Sequence, residues 1–340
     1  MTAPLFRTAA ALGEALRRLP AAGPAARRAA AERQDRLTKP AGALGRLEEL
    51  AVFLAGWHGT PRAGPVQAIV FAGNHGVTAR GVSPYPADVT GQMVANFRRG
   101  GAAVNALAAV ADASLHVAPL DLDRPTADIS VSPAMTEDEA LAALNAGAAA
   151  VDRAADILVV GEMGIGNTTA ASALCAACLG GTGADWAGPG TGLDGEGVAR
   201  KAWVIDQALA RHPAGDALHT LASLGGRELC AIAGAVVAAR LNRIPVLLDG
   251  FVACAAIAPL AADAPAILDH CLAGHLSAEP GHRKLLSAFG LSPLLQMGMR
   301  LGEGTGALLA VPILKAAVAA HNGMATFAEA GVSTETSHVD

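Results

Sequence analysis

The sequence predicts an α/β protein built on a Rossmann-like, mostly parallel, doubly wound sheet. Short apolar runs typical of buried strands alternate along the chain with longer segments of helical periodicity. The polar, glycine-containing loops come directly after such apolar runs. Because parallel strands end at the same edge of a sheet, these loops should converge there, where open α/β sheets bind their ligands.

Composition and charge narrow the class of protein. The 340 residues are 52% hydrophobic and 16% charged, and the net charge of −5 argues against a nucleic-acid partner. The five cysteines are odd in number and lie in apolar context, which favours a reducing compartment. The first residues lack the apolar core of a signal peptide, and the longest apolar region, 244–262, contains Asp249 and two prolines. These features predict a cytoplasmic protein without a membrane span.

The two ends of the chain are predicted to be helical. Residues 7–60 have helical spacing with a break at 38–40, and the proline-rich segment 61–65 is a candidate domain boundary. We therefore predict a small helical domain formed by residues 1–62 together with about 307–340. Residues 63–306 would form the large Rossmann-like α/β catalytic domain.

The predicted strands and helices of the large domain follow in order. The strands are five short apolar runs, at 68–71, 114–120, 157–160, 245–248 and within 268–275. Thr136 and Glu139 have the spacing of a capping box, which predicts a helix from there to Arg153. Further helices are predicted at 87–98, 102–110, 167–174, 198–210, 229–240, 252–261 and 307–321. The tail from Ser333 is expected to be disordered.

The stretch 156–173 predicts a strand, a phosphate-binding turn and a helix. Its turn is rich in glycine, with Gly161, Gly164 and Gly166. Glycines let a backbone approach a phosphate closely, and the N–H groups and dipole at a helix start attract anions. Asn167 or Thr168 suits the N-cap. The spacing matches neither G-x-G-x-x-G nor a Walker loop, so a plain structural connection is the alternative.

Glu162 is the unusual residue of this turn. A carboxylate beside an anion site repels the anion, so the side chain should have another role. It could hold the loop by accepting N–H bonds, or it could face a positive charge on the substrate.

Other polar loops carry candidate binding and catalytic residues, namely Ser83, Gln92, Thr191, Lys201, Asp249, Ser277 and Glu303. Lys201 could offset the charge of a phosphate, and the alternative is a solvated lysine on a helix surface. Glu303 stands between two glycines, where a carboxylate can project into a pocket or act as an anion at a helix N-terminus. His75 lacks a nearby partner with metal-ligand spacing. We therefore predict no metal and no cofactor.

Many of these loops together resemble one enzyme family. The segments that carry the resemblance are LTKPAGALGRLEELA (37–51), FAGNHGV (71–77), GVSPYPADVTGQMV (81–94), GEMGIGNTT (161–169), GTGLD (190–194), LGGRE (224–228), PVLLDGF (245–251), HLSAEPGH (275–282) and LGEGTGA (301–307). They are similar, in order and from about residue 34 to 332, to the nicotinate-nucleotide–dimethylbenzimidazole phosphoribosyltransferase family.

The resemblance implies a reaction. Nicotinate mononucleotide would donate its phosphoribosyl group to 5,6-dimethylbenzimidazole, giving α-ribazole 5′-phosphate and nicotinate on the way to the lower ligand of cobalamin. It also implies a homodimer that requires no metal, with a large Rossmann-like domain and a small helical domain formed by the two chain ends.

The resemblance also implies roles for individual residues. Glu303 matches the general base that takes the N–H proton of the benzimidazole. The family's loop for the phosphate and ribose of the nucleotide is matched by Gly164, Gly166, Asn167 and Thr168. Lys201 follows a second glycine loop, residues 180–197, which contains Thr191. Ser83 and Gln92 match the base-pocket stretch, Leu301 should wall that pocket, and Asp249 and Ser277 face the same cleft. Negative charge near the ribose would stabilise an oxocarbenium-like state, which gives Glu162 a catalytic role.

Two departures from the family pattern and two alternatives remain. Asn74 stands where the family commonly has Asp, and Pro189 where it often has a basic residue. The acceptor could instead be adenine, unsubstituted benzimidazole or a phenolic compound, because a methyl group contributes only about 1 kcal/mol to recognition. A nucleotide- or base-binding protein without turnover is the other alternative.

Overall fold

The computed structural model describes residues 4–213 and 215–333. The strands are β1 Val66–Ala72, β2 Ala113–Pro119, β3 Ile157–Met163, β4 Val246–Leu248 and β5 Cys271–Ala273. The helices of the first half are α1 Ala9–Arg17, α2 Pro24–Gln34, α3 Arg46–His58, α4 Val89–Arg98, α5 Ala103–Ala111, α6 Glu137–Ala150 and α7 Asn167–Leu179. Those of the second half are α8 Gly183–Trp186, α9 Gly195–Arg211, α10 Ala217–Leu224, α11 Arg227–Leu241, α12 Phe251–Ala255, α13 Ala258–Asp263, α14 Pro280–Phe289, α15 Thr305–Gly323 and α16 Phe327–Ala330.

All five strands form one parallel sheet in the order β2-β1-β3-β4-β5. Val66 at the start of β1 pairs with Ala113 on one side and with Ile157 on the other. The strand order therefore reverses between β1 and β3, and the carboxyl ends of these two strands flank the crevice where doubly wound sheets bind ligands. The predicted parallel α/β fold is confirmed.

Helices cover both faces of this sheet, which is why its central strands are apolar throughout. On one face, the side chains of Ile69, Phe71 and Val160 belong to a core that includes helices α6, α7 and α11. On the other face, those of Val70 and Val159 pack with α3, α5 and α15. Neighbouring residues of one strand, such as Val70 and Phe71, therefore pack into cores on opposite faces of the sheet.

The two ends of the chain meet. Leu37 forms an isolated antiparallel bridge with Thr326, and the Arg33 guanidinium Nε donates to the carbonyl of His321 at 3.0 Å. Helix α15 contacts α3 as well as β3 and β4, so it joins the chain ends to the sheet. The division at residue 306 falls just inside α15, and the assignment of two domains stays a prediction.

Some elements differ from the sequence prediction. Helices α10 and α14 are additional, and the predicted helix 252–261 is two helices, α12 and α13. Their signals are local and short: the Asp216 carboxylate accepts from the His219 N–H to cap α10, and Pro280 stands in the first turn of α14. The predicted capping box of Thr136 and Glu139 is confirmed. The tail predicted to be disordered lies, apart from Ser333, outside the described residues.

Helix α15 has the length and apolar composition of a membrane span, criteria that a core helix also meets. Leu308, Val311 and Leu314 are buried in it and belong to the core on the second face of the sheet.

Candidate active site

A cleft opens at the carboxyl edge of the sheet beside the ends of β3, β4 and β5. Loops after β3, β4 and β5 line it, together with the second glycine loop and the segment before α15. The predicted residues on its walls are Glu162, Gly164, Asn167, Thr168, Thr191, Ser277 and Leu301. One site therefore collects residues that are far apart in the sequence, as expected for parallel strands.

The predicted nucleotide loop, residues 164–168, leads from β3 into α7. Strand β3 continues through Met163, so Gly161 and Glu162 lie in the strand and not in the turn. Neither Asn167 nor Thr168 is the N-cap, and that part of the prediction is wrong. Gly166 takes the position, with a φ of 92° that favours glycine. Helix α7 therefore begins at Asn167 and directs its N-terminus at the cleft.

Glu162 is partly buried at the end of β3 and accepts a short hydrogen bond from the side-chain amide of Asn167. Burial raises the pKa of Glu162 to about 8, and the nearby charges of Asp249, Glu228 and Glu303 add to the rise. The bond to Asn167 opposes it. The carboxylate thus holds the first residue of α7 and still faces the cleft, so both roles considered for it are compatible with its position.

Lys201 lies beneath the nucleotide loop and is 1% exposed. Its ammonium group donates to the Thr168 hydroxyl at 3.1 Å and to the Gly188 carbonyl at 3.0 Å. Burial lowers the pKa of Lys201 to about 8, against the attraction of Glu279. The solvated-lysine alternative is wrong, and the side chain is a buried cation beside the start of α7.

The second glycine loop covers this lysine. Arg300 donates from Nη1 to the Gly190 carbonyl at 2.9 Å, which ties the loop to the segment before α15. The Ser277 hydroxyl accepts from the Glu279 N–H at 3.2 Å and so orders the loop after β5. Burial raises the pKa of Glu279, and the charges of Lys201 and Arg300 oppose that rise. Ser277 and Glu279 thus stand at the cationic end of the cleft.

Glu303 is 4% exposed and has a φ of 63°, a left-handed conformation that is uncommon for a residue with a side chain. Burial raises its pKa to about 7, with the Val104 N–H opposing the rise and Asp249 adding to it. One carboxylate oxygen, Oε2, is buried without a hydrogen-bond partner in the described chain. The N-cap alternative is wrong for this residue, because Gly304 is the N-cap of α15.

Asp249 supplies the anion at the start of α15 instead. Its carboxylate accepts from the Gly304 N–H at 3.1 Å and from the Ala307 N–H at 2.9 Å. These bonds satisfy N–H groups that a helix start leaves open. Asp249 therefore fixes the backbone next to Glu303 from below the cleft.

The residues predicted for the base pocket are not all brought together. Ser83 lies near the second glycine loop, with 3.3 Å between its hydroxyl and that of Thr191. Leu301 is at the rim of the cleft and 58% exposed. Gln92 is exposed on α4 and is not part of the cleft wall. Thr90 on the same helix is the residue that reaches the nucleotide loop, since its hydroxyl accepts from the Ile165 N–H at 3.1 Å.

Sequence reasoning missed several partners in this region. His75 and Glu228 form a buried pair with 2.6 Å between Nε2 and Oε1. Arg300 comes directly before Leu301, and its position was the only signal for it. Glu228 lies in the LGGRE segment, but nothing in the sequence connects it to His75, which is 153 residues away.

The two departures from the family pattern occupy loops. Asn74 donates from its side-chain amide to the Leu122 carbonyl at 2.9 Å. The Pro189 carbonyl accepts from the Gly192 and Leu193 N–H groups and shapes the second glycine loop. Within residues 4–213 and 215–333, no group of three or more His, Cys, Asp or Glu side chains has a geometry that could hold a metal ion.

A parallel α/β sheet with a helix start, a buried lysine and two carboxylates at its carboxyl edge is typical of enzymes that act on phosphorylated substrates. A family model described as phosphoribosyltransferase matches residues 19–332. The chain is 61% identical over 336 residues to nicotinate-nucleotide–dimethylbenzimidazole phosphoribosyltransferase of Novosphingobium aromaticivorans, which covers 96% of this chain and 98% of that protein.

Other relatives agree. The enzyme of the same name from Rhodobacter capsulatus is 57% identical over 318 residues, which is 93% of this chain and 95% of that protein. A crystal structure of CobT from Thermus thermophilus superposes with a TM-score of 0.88 at 46% identity, covering 92% of this chain and all of that one. The chain belongs to the nicotinate-nucleotide–dimethylbenzimidazole phosphoribosyltransferase family.

Proposed function

We propose that this enzyme transfers the phosphoribosyl group of nicotinate mononucleotide to 5,6-dimethylbenzimidazole, giving α-ribazole 5′-phosphate and nicotinate. The product would enter assembly of the cobalamin lower ligand, as the family resemblance implies. The observation that carries the proposal is the close approach of the end of β3 to the segment before α15. Gly302, next to Glu303, lies so near the Glu162 carboxylate that a Cβ at Gly302 would collide with it.

The donor nucleotide is assigned to the nucleotide loop. Its phosphate would bind at the start of α7, where backbone N–H groups and the helix dipole attract an anion. Lys201 lies beneath this helix start and supplies a positive charge. Its hydrogen bond to the Thr168 hydroxyl orients the Thr168 side chain toward the proposed phosphate site. Gly164 and Gly166 allow the backbone to come close to the ligand.

The acceptor base is assigned to the Glu303 side of the cleft. One ring nitrogen of the benzimidazole attacks C1′ of the ribose while the bond from C1′ to the nicotinate nitrogen breaks. The electron pair of that bond neutralises the pyridinium, so the departing ring needs no acid. The proton on the other ring nitrogen passes to Glu303, whose pKa of about 7 suits a base working near neutral pH.

Glu162 is assigned to the charge that develops on the ribose. A carboxylate close to an oxocarbenium-like ring stabilises it most where water is excluded. Before the donor binds, the pKa of about 8 keeps this group protonated at neutral pH. The cationic pyridinium of the donor favours the ionised form, because opposite charges lower the pKa of an acid. Donor binding would therefore prepare Glu162 for its role.

The remaining predicted residues are assigned to binding. Ser83, Thr191 and Leu301 stand on the acceptor side, with Gln92 able to take part only if its side chain turns toward the cleft. Ser277 and Asp249 would act by holding the loops around the substrates. This distribution agrees with the hydrogen bonds they form.

We also propose that the enzyme is a cytoplasmic homodimer. Tyr85, Met297 and Leu301 are 52%, 64% and 58% exposed, which leaves large apolar side chains on the surface of a single chain. Light scattering at micromolar concentration should give twice the chain mass of 33.9 kDa. A single-chain mass would contradict the dimer.

A chromatographic product assay tests the proposed function. Purified enzyme is given nicotinate mononucleotide with 5,6-dimethylbenzimidazole, and parallel reactions contain adenine, benzimidazole or a cresol. Nicotinate release with α-ribazole phosphate in the first reaction supports the proposal. Turnover with another acceptor only would change the assigned substrate, and nucleotide binding without any product would leave the binding-protein alternative.

A further inference from the structure

A buried pair that the reaction above does not use lies under the nucleotide loop. His75 follows β1 by three residues, and Glu228 is the second residue of α11. Their side chains are 1% and 0% exposed, and His75 Nε2 is 2.6 Å from Glu228 Oε1. A buried pair of this kind is often no more stable than apolar residues of equal size, so stability alone does not account for it.

The pair is in contact with the nucleotide loop on two sides. A Cβ placed on Gly164 would be 3.1 Å from Glu228 Oε1 and 2.7 Å from the carbonyl oxygen of Gly73. A Cβ placed on Gly166 would be 3.5 Å from the Cβ of His75. The two glycines of the loop therefore rest on this pair and on the end of β1.

The pair also has buried polar atoms that form no hydrogen bond within the described residues. His75 Nδ1 and Glu228 Oε2 are buried without hydrogen-bond partners among the residues that the structure describes. Leaving buried polar atoms unpaired costs stability, and such groups in native proteins call for an explanation. The charge of Glu228 reaches Glu162 as well, where it raises the pKa. The pair thus acts on both the loop and the neighbouring carboxylate.

We propose that His75 and Glu228 are positioning residues for the donor nucleotide. Their hydrogen bond joins the segment after β1 to the start of α11. It thereby fixes the position of the loop 164–168 relative to the sheet. The loop can then present its backbone N–H groups to the phosphate without rearrangement. This inference rests on the proposed function, in which that loop binds the phosphate of nicotinate mononucleotide.

Two substitutions of His75 separate the hydrogen bond from the bulk of the side chain. In His75→Gln, the terminal amide nitrogen can take the place of Nε2 and still donate to Glu228. In His75→Asn, the amide is too short to reach it. A loop that holds its binding geometry in only about 1–10% of molecules binds about 10- to 100-fold more weakly, and we expect His75→Asn to raise the Kd for nicotinate mononucleotide by that factor. His75→Gln should recover most of this loss, and the KM for the acceptor base should not change.

A matched control is available in His321, which is 2% exposed and bonded through Nδ1 to the Gln34 side chain at 2.9 Å. His321→Asn should leave the Kd for nicotinate mononucleotide unchanged. Glu228→Asp, which keeps the charge but withdraws the carboxylate from His75, gives a second test where His75→Asn does not fold, and we expect the same rise in Kd.

Calorimetric titration with nicotinate mononucleotide distinguishes the possible results. A selective rise in the donor Kd with recovery in His75→Gln supports the inference. A wild-type Kd in both His75→Asn and Glu228→Asp overturns it, and so does an equal loss for donor and acceptor, which a purely structural role would give. Failure of the unsubstituted enzyme to bind the nucleotide overturns the proposed function itself.

Discussion

The backbone of Glu303 rests directly on Gly161. A methyl group at Gly161 would collide with the carbonyl of Glu303 and with the Gly304 nitrogen, so the segment before α15 touches β3 at a position where only glycine fits. Glu162, the next residue along β3, meets Gly302 in the same way. The two carboxylates are therefore held by one contact between a strand and a loop.

Gly302→Ala should reduce the turnover rate much more than Gly298→Ala, a glycine substitution four residues away. Its φ of 84° disfavours any side chain, and the new Cβ would displace the Glu162 carboxylate. We expect kcat to fall about 100-fold, as a shift of about 1 Å in a reacting group can cost. Gly298→Ala is the matched control, because its φ is 68° and nothing lies within 4 Å of the new Cβ. Both variants should lose about 1 kcal/mol of unfolding free energy, and equal turnover in the two would contradict the contact.

Lys201→Met should weaken donor binding while the protein remains folded. Methionine keeps the length of the side chain, and removal of the buried charge relieves its desolvation. Lys201 supplies positive charge beneath the phosphate and orients the Thr168 hydroxyl, so its loss should raise the Kd for nicotinate mononucleotide about 10- to 100-fold. Lys315→Met is the control, since Lys315 bonds to the Ala111 carbonyl. Titration calorimetry measures both, and an unchanged Kd in Lys201→Met would remove the lysine from the phosphate site.

Stability should depend on pH through Glu162. Its folded pKa of about 8 lies above the ordinary 4.5, so the folded state holds the extra proton between these values. The stability contribution of this group is therefore complete below pH 4.5 and is lost as pH rises to about 8. The Tm of the wild-type enzyme minus the Tm of Glu162→Gln should therefore decrease as the pH rises from 4.5 to about 8. A difference in Tm between wild type and Glu162→Gln that stays constant from pH 4.5 to 8 would contradict the raised pKa.

The rate should also rise with pH. A general base works only when deprotonated, and the pKa of Glu303 is about 7. We expect kcat/KM for the acceptor base, measured with saturating nicotinate mononucleotide so that the pyridinium of the donor already favours ionised Glu162, to increase through pH 7. Steady-state assays between pH 5.5 and 9 in one mixed buffer are sufficient, roughly the range in which such groups titrate. A flat profile would exclude Glu303 as the titrating base.

The sheet and the central binding loop were predictable because their signals are local. Buried parallel strands are apolar along their whole length, and the glycines after β3 mark a close approach of the backbone. Glu303 and Lys201 were found from their places beside glycine turns and after a glycine loop. The family resemblance then linked loops that local patterns could only place one at a time.

The N-cap of α7 and the partners of the buried groups were not predictable in the same way. Asn167 has a side chain that suits an N-cap, but it bonds to Glu162, and the left-handed position before it requires Gly166. Asp249 looks like any polar residue after a strand, and only the fold brings α15 to it. Contacts between distant segments decided these roles.

The most direct test of the account is the single-turnover rate of Glu303→Gln with nicotinate mononucleotide and 5,6-dimethylbenzimidazole. Glutamine keeps the shape of the side chain but cannot accept the proton of the base. We predict that formation of α-ribazole phosphate slows by about 10²- to 10⁴-fold while the Kd for the donor stays at the wild-type value. A wild-type rate in this variant, with the same product, would contradict the assignment of Glu303 as the general base.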